Sequence, residues 1–355
     1  GLVLKNADGS VRILNQYDNV KLPSLPGGLI SKPTLVWDVS AQKTGTHKTR
    51  VSYQTGGMSW WSDYNLAYSE GADANSCNLD VAAWVTIINQ SGASYQDTKL
   101  KLVAGDVQRA QARGHAVAAA PRAMMKQALS EDSAGFDEKA FFEYHLYTLG
   151  FLTTLPDNST KQLELFPTAR GVPCEKALVY QGQAGMGYYG GLMTDRAFGV
   201  GSNKKVDVYL SFKNSKDNRM GMPLPAGKIR VSKLDNADKT LEFIGEDVID
   251  HTPKDEIVRI RMGSAFDVVG ERTQKDFRID INGRWMEEDI EVKVRNQKNE
   301  AANVQVRENL YRWSNWQISK NSQSYNKTDA RSIVFPIRIA KGGEAIVKYT
   351  ARYTW

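Results

Sequence analysis

The densest grouping of reactive side-chain types in the chain is Asp250-His251-Thr252-Pro253-Lys254-Asp255-Glu256, an imidazole and a hydroxyl among three carboxylates. General-base and metal chemistry both require such groups to converge on one point. In extended chain, alternate side chains leave by opposite faces, so Asp250 and Thr252 point away from His251. The stretch reads first as a turn: Pro253 beside Lys254 and Asp255 suits a tight reversal between LEFIGEDVI and EIVRIRMG, where an isolated histidine commonly hydrogen-bonds backbone. A hydrolase using His251 with Asp250, Asp255 or Glu256, with or without a metal ion, is the alternative. The four histidines, His47, His115, His145 and His251, show neither HxH nor HExxH spacing, so no multi-histidine metal site and no cofactor is expected. His145, in EYHLYTL, belongs on one face of a strand, where it could meet a carboxylate from elsewhere.

A second grouping suits recognition better than reaction. In Met58-Ser59-Trp60-Trp61-Ser62-Asp63-Tyr64 the consecutive tryptophans must leave by opposite sides, so one of them is expected at the surface. An indole exposed beside Asp63 and Tyr64 can stack on a sugar ring or on a partner's apolar patch. Burial of both Trp60 and Trp61 in a large core is the plainer alternative. Trp313 and Trp316 pose the same choice.

Other motifs carry less. Gly185-Met186-Gly187-Tyr188-Tyr189-Gly190 matches GxGxxG, but a dinucleotide site needs that turn to open a helix, and the following GLMTDRAFGVGSN is too rich in glycine. No GxSxG occurs, and Ser264 in RMGSAFD lacks an evident base. Asn89, Asn158 and Asn326 begin sequences of the glycosylation-acceptor form, which in a bacterial chain read as ordinary turn residues.

The elements that must position these groups are strands. TLVWDVSA, TRVSYQT, LDVAAWVTIINQ and TKLKLVAG are short runs rich in Val, Ile, Thr, Trp and Tyr, separated by turn-formers. Strand texture returns in FFEYHLYTLGFLTTL, KQLELFP and VPCEKALVY, and about eleven further strand candidates follow the glycine-dense bridge at 181–203. Without helical periodicity between strands, a β-sandwich is favoured over a βαβ sheet. The expected fold is all-β: two packed antiparallel β-sandwich modules, at 32–200 and 201–355, preceded by an extended lead-in at 1–31. The prolines and paired glycines of KLPSLPGGLISKP argue against a helix or a central strand in that lead-in. An Ala-rich insertion at 108–140 interrupts the first module, and only its PRAMMKQAL has helical composition.

Composition narrows the function classes. At 355 residues the chain has ample apolar surface for two cores. Its 46 Lys+Arg against 40 Asp+Glu give a net charge of +6, but the basic residues are scattered without a stripe or tail, so no nucleic-acid partner is expected. No run approaches the ~20 apolar residues of a spanning helix. The chain opens on GLVLKN without a charged-then-apolar leader, so any export signal is expected to have been removed or to lie upstream. Cys77 and Cys174 occupy similar contexts, each followed by strand-like sequence; their spacing is equally consistent with one disulfide, implying an oxidising compartment, and with two buried thiols.

The ordered succession TGGMSWWSDYNL, LDVAAWVTIINQSGASYQDTKLKLVAGDVQR, FFEYHLYTL, DNSTKQLELF, MGMPLPAGKIRV, EFIGEDVIDHTPKDEIVRIRMGSAFDVVGER and VKYTARYTW resembles the C-terminal module of the mucoidy-inhibitor-A-like proteins. The similarity covers about Lys32 to Trp355. That widespread bacterial family mostly carries secretion signals and usually has a further N-terminal β-rich region, and this domain of it has no assigned function. The resemblance implies an exported all-β protein, periplasmic or extracellular, and brings no catalytic residues. The expectation is therefore a non-enzymatic binding or assembly component of the cell envelope or extracellular matrix, recognising polysaccharide or copies of itself through aromatic loops and strand edges.

Overall fold

The computed structural model describes residues 2–5, 8–14, 16, 36–105, 135–183, 191–235 and 237–355. Among these residues there is no helix. The strands are β1 (Leu2–Lys5), β2 (Val11–Leu14), β3 (Met58–Glu70), β4 (Ser76–Asn89), β5 (Tyr95–Thr98), β6 (Lys101–Ala104) and β7 (Phe136–Phe141). Next come β8 (Tyr144–Leu149), β9 (Thr153–Leu155), β10 (Ser159–Tyr180), β11 (Lys205–Lys213), β12 (Gly227–Leu234), β13 (Leu241–Ile249) and β14 (Ile257–Asp280). The last are β15 (Trp285–Asn296), β16 (Ala302–Asn309), β17 (Trp316–Asn321), β18 (Asn326–Lys327), β19 (Ser332–Ile339) and β20 (Glu344–Thr354). The expected helical stretch at PRAMMKQAL and the GxGxxG match both lie outside the described residues. The end of the expected insertion at 108–140 falls in β7, and within the expected lead-in β1 pairs antiparallel with β2.

Thirteen strands form one sheet, whose main path runs β13-β12-β3-β4-β10-β11-β14-β15-β20-β17, with β16 joined to β10 and β19, and β18 to β19. A three-stranded sheet, β6-β8-β7, and the pair β5-β9 complete it. The purely antiparallel expectation needs correction, because β12 runs parallel to β3 and β16 parallel to β10. Each parallel pair joins segments far apart in sequence, where no hairpin dictates direction. Alternation nonetheless runs through β3, β15 and most of β4, and breaks in β10 and β14 where their register shifts. WMEEDIEVKVRN of β15 buries every second residue along its length, as one face turns to the core and the other to solvent.

Two apolar cores result. Leu79, Val85, Leu165, Ile229 and Ile260 belong to the first, which the small sheet joins through Leu102, Tyr147 and Leu149. Val206, Val292, Val304, Phe335 and Tyr353 belong to the second. Two long strands serve both. β10 gives Leu165 and Val172 to the first core and Leu178 and Tyr180 to the second; β14 gives Val258 and Ile260 to the first and Val268 and Phe277 to the second. The first core thus draws on residues on both sides of position 200. KQLELFP and VPCEKALVY, read as separate strands, are parts of the 22-residue β10, which absorbs the intervening prolines and glycine through three shifts of register against β4. Cys77 and Cys174 are disulfide-bonded across β4 and β10, with Cα atoms 4.8 Å apart.

Around the first core the sheet curls until its leading strand β13 lies against β14. A β-carbon on Gly245 would stand 2.9 Å from the Met262 carbonyl oxygen, and Asp247 Oδ2 accepts the Arg261 backbone N–H at 2.7 Å. No ladder joins β13 to β14 among the described residues, so the expected reversal is not a hydrogen-bonded hairpin. Its turn is drawn elsewhere: Leu224 and Thr252 exchange backbone hydrogen bonds of 2.8 and 2.9 Å, and Asn214 Nδ2 donates to the carbonyls of Met222 and Pro253. The first core is consequently surrounded by strands β13, β12, β3, β4, β10, β11 and β14, with Met220, Met222 and Leu224 of the 214–226 loop packed against it.

Candidate recognition site

Alternation along β3 divides the residues expected to act together. Trp60 packs against the first core, and Tyr64, 1% exposed, donates its hydroxyl to the Pro225 carbonyl at 2.7 Å. Trp61 and Asp63 leave by the other face. Trp61 is 40% exposed, and its Nε1–H donates to Asp63 Oδ2 at 2.6 Å. The remaining acceptor capacity of Asp63 is used by Arg230 Nη1 at 3.3 Å to Oδ1 and Thr86 Oγ1 at 3.4 Å to Oδ2. The carboxylate therefore clamps the indole edge and leaves the ring as a fixed surface.

Neighbouring strands extend this face. Trp84 stands opposite Asp63 on β4, and Glu164 opposite Trp84 on β10. The half-buried Trp84 faces away from the core, since the flanking Ala83 and Val85 are wholly buried within it. Gln162 reaches Thr86 Oγ1 at 3.5 Å, and Arg230 lies 3.6 Å from Glu246. Two indoles are thus set among amide, guanidinium and carboxylate groups on the adjacent strands β12, β3, β4 and β10. Aromatic planes beside planar hydrogen-bonding groups suit a hydroxyl-rich ring, which presents an apolar face and polar edges. Trp84 was legible from the alternation of LDVAAWVT but was not singled out; Arg230 comes from a strand 167 residues beyond Asp63 and leaves no local signal.

The residues of the hydrolase alternative are placed differently. His251 is exposed, and its Nδ1 accepts the Ala226 backbone N–H at 3.0 Å. Asp255, at φ +66°, lies 3.7 Å from Lys254 Nζ, while the Thr252 hydroxyl donates to the Asp250 carbonyl. The backbone carbonyl of Glu256 receives Asn214 N–H. Among the described residues, no group of three or more His, Cys, Asp or Glu is placed to hold a metal ion. His145 meets Glu138 Oε1 at 2.7 Å, and Ser264 donates to Asp207 Oδ1 at 3.1 Å. Trp316 donates to the Ala330 carbonyl at 2.9 Å and, with Trp313, packs partly against the second core. Asn89 is buried, with Nδ2 bound to the carbonyls of Ala93, Leu155 and Pro156.

The strongest convergence of charge was not apparent from sequence. Arg272 Nε donates to Glu308 Oε2 at 2.8 Å, and Tyr349 donates to the same oxygen. Arg312 lies 2.7 Å from Glu288, which also accepts from Tyr311 and Tyr353 at 3.1 Å. The other guanidinium nitrogens of Arg312 reach the carbonyls of Met193, Asp195 and Phe198. All four charged side chains are at most 1% exposed. The network fastens the 193–198 loop to the sheet, and each buried charge keeps the partner its desolvation demands.

No helix among the described residues is long and apolar enough to cross a membrane. Compared with known proteins, the chain matches no family model and no curated protein.

Proposed function

We propose that this is an exported, non-enzymatic binding protein of the bacterial envelope or extracellular matrix, which recognises polysaccharide through the outer face around Trp61. The observation that carries the reading is the exposed Trp61 indole held by Asp63 among Trp84, Arg230 and Gln162. The disulfide is compatible with a periplasmic or extracellular location. Two apolar cores support the finer architecture of two packed β-sandwich modules, and the ordered motifs quoted above support kinship with the mucoidy-inhibitor-A-like proteins. The hydrolase alternative has less support, because the His251 imidazole is engaged with backbone.

Affinity electrophoresis against a panel of neutral and acidic polysaccharides tests the reading. At least one glycan is expected to retard the protein, and Trp61→Ala to weaken that retardation about tenfold, in line with the loss of an aromatic anchor, at an unchanged melting temperature. Equal retardation of the variant, or none by any glycan, would sink the proposal. Self-association is a second reading, favoured by the apolar side chains left exposed on and beside β13: Phe243, Val248, Ile257 and Phe266, the last 95% exposed. Light scattering that shows a concentration-dependent dimer, abolished by Phe266→Ser, would support it.

A further inference from the structure

A cavity of about 310 Å3 opens at one end of the walled first core. It lies on the inner side of the sheet, away from Trp61; its apolar lining is Tyr68, Val208, Leu210, Ile244 and Met262 from four strands, β3, β11, β13 and β14, and Glu70, Lys176, Lys233 and Ser264 complete it. The disulfide staples the wall at this level: Cys174 pairs with Cys77, and Lys176, two residues along β10, pairs with Leu210. The volume falls in the lower part of the range of small-molecule sites, about 300–1,000 Å3, which favour the mouths of β-barrels.

Lys176 is the unusual member of its lining. The inward stripe of β10 runs Val172, Cys174, Lys176, Leu178, Tyr180, so this lysine alone interrupts apolar residues between the two cores. Among the described residues, its ammonium has neither a hydrogen bond nor an ion pair, whereas Lys233 at the same rim is bound to Glu70 at 2.6 Å. Burial first, then the nearby Lys298, push the Lys176 amine below its ordinary value; Glu300 and Glu70 pull the other way, and Lys233 adds least. A half-buried cation in apolar surroundings is stabilised by an anion that brings its own apolar body. The larger groove, of about 490 Å3, beside Lys275, Lys320 and Lys348 lacks this feature, because Lys275 and Lys348 already face Glu291, at 3.8 and 3.2 Å, and Lys320 is exposed to solvent.

We propose that this mouth is a binding site for a small amphipathic carboxylate, its apolar body against Tyr68, Leu210, Ile244 and Met262 and its carboxylate on Lys176. The site is independent of the glycan face, so either reading can fail without the other. Calorimetric titration with octanoate is expected to show one saturable site per chain, with octan-1-ol binding at least tenfold more weakly. Lys176→Met should cost octanoate at least tenfold in affinity and leave octan-1-ol unchanged. Ile244→Trp, which fills the half-open rim, should abolish both, and near-ultraviolet circular dichroism verifies that each variant is folded. The proposal is overturned by the absence of saturable octanoate binding, by equal affinities for acid and alcohol, or by a folded Ile244→Trp variant that binds octanoate normally.

Discussion

A β-carbon on Gly270 would stand 2.1 Å from Cε2 of Tyr180, whose ring is fully buried and whose hydroxyl donates to the Asn203 carbonyl at 2.7 Å. The ring has nowhere to retreat, so Gly270→Ala is expected to destabilise by about 1–3 kcal/mol, as overpacking does, read as a lower denaturant midpoint at constant slope. Burial also raises the phenols of Tyr64, Tyr147, Tyr180, Tyr311, Tyr349 and Tyr353, that of Tyr180 to about 12. A raised folded-state pKa binds the proton more tightly than the unfolded chain does, so this stabilisation is complete below about pH 10 and declines as pH rises through the folded-state values. Alkaline titration followed by tyrosinate absorbance should show the exposed tyrosines ionising first and the buried ones in a later step that coincides with loss of β-structure; smooth ionisation of all without unfolding would refute this. At this scale much was legible. Alternation alone separates Trp60 from Trp61, whereas the partners of Asp63 and Glu308 depend on strands that meet only in the folded sheet.

Among the elements, β4 and β10 are joined covalently as well as by hydrogen bonds. The Cys77–Cys174 bond spans 97 positions, and in the chain-entropy picture closing so long a loop in the unfolded state is worth about 4–5 kcal/mol. Cys77→Ser/Cys174→Ser is expected to lower the melting temperature, as is reduction with dithiothreitol, and an unchanged melting curve would show that the unfolded chain already holds these strands together. Strand existence was readable from most Val, Ile, Thr and aromatic runs, but TRVSYQT and the described part of TLVWDVSA, from Val36 on, form no strand, their Val36, Trp37, Val51 and Tyr53 being exposed with no core to pack on; strand extent was not readable. Pro167, Gly171 and Pro173 look like terminators, yet they lie within β10, in and beside the stretch where its register slips against β4. Gly263, at φ +116°, likewise marks an irregularity inside β14 where it changes cores, and does not end it. A proline or glycine reports that the ladder is locally interrupted, and only the partner strand decides whether it resumes.

For the molecule as a whole, the all-β class followed from the lack of helical periodicity, but a period of two does not say which strand lies alongside or in which direction. The two parallel pairings and the use of β10 and β14 by both cores were therefore hidden. Because Leu165 and Tyr180, or Ile260 and Val268, sit on one continuous strand, disruption of either core should unravel the other. Calorimetry is expected to give one heat-absorption peak, with van't Hoff and calorimetric enthalpies in agreement; two resolved peaks would contradict it. The shared strands have a mechanical corollary. A pull that shears β10 or β14 from its neighbours strips residues from both cores at once, so under load the two should yield together in one event and not one after the other.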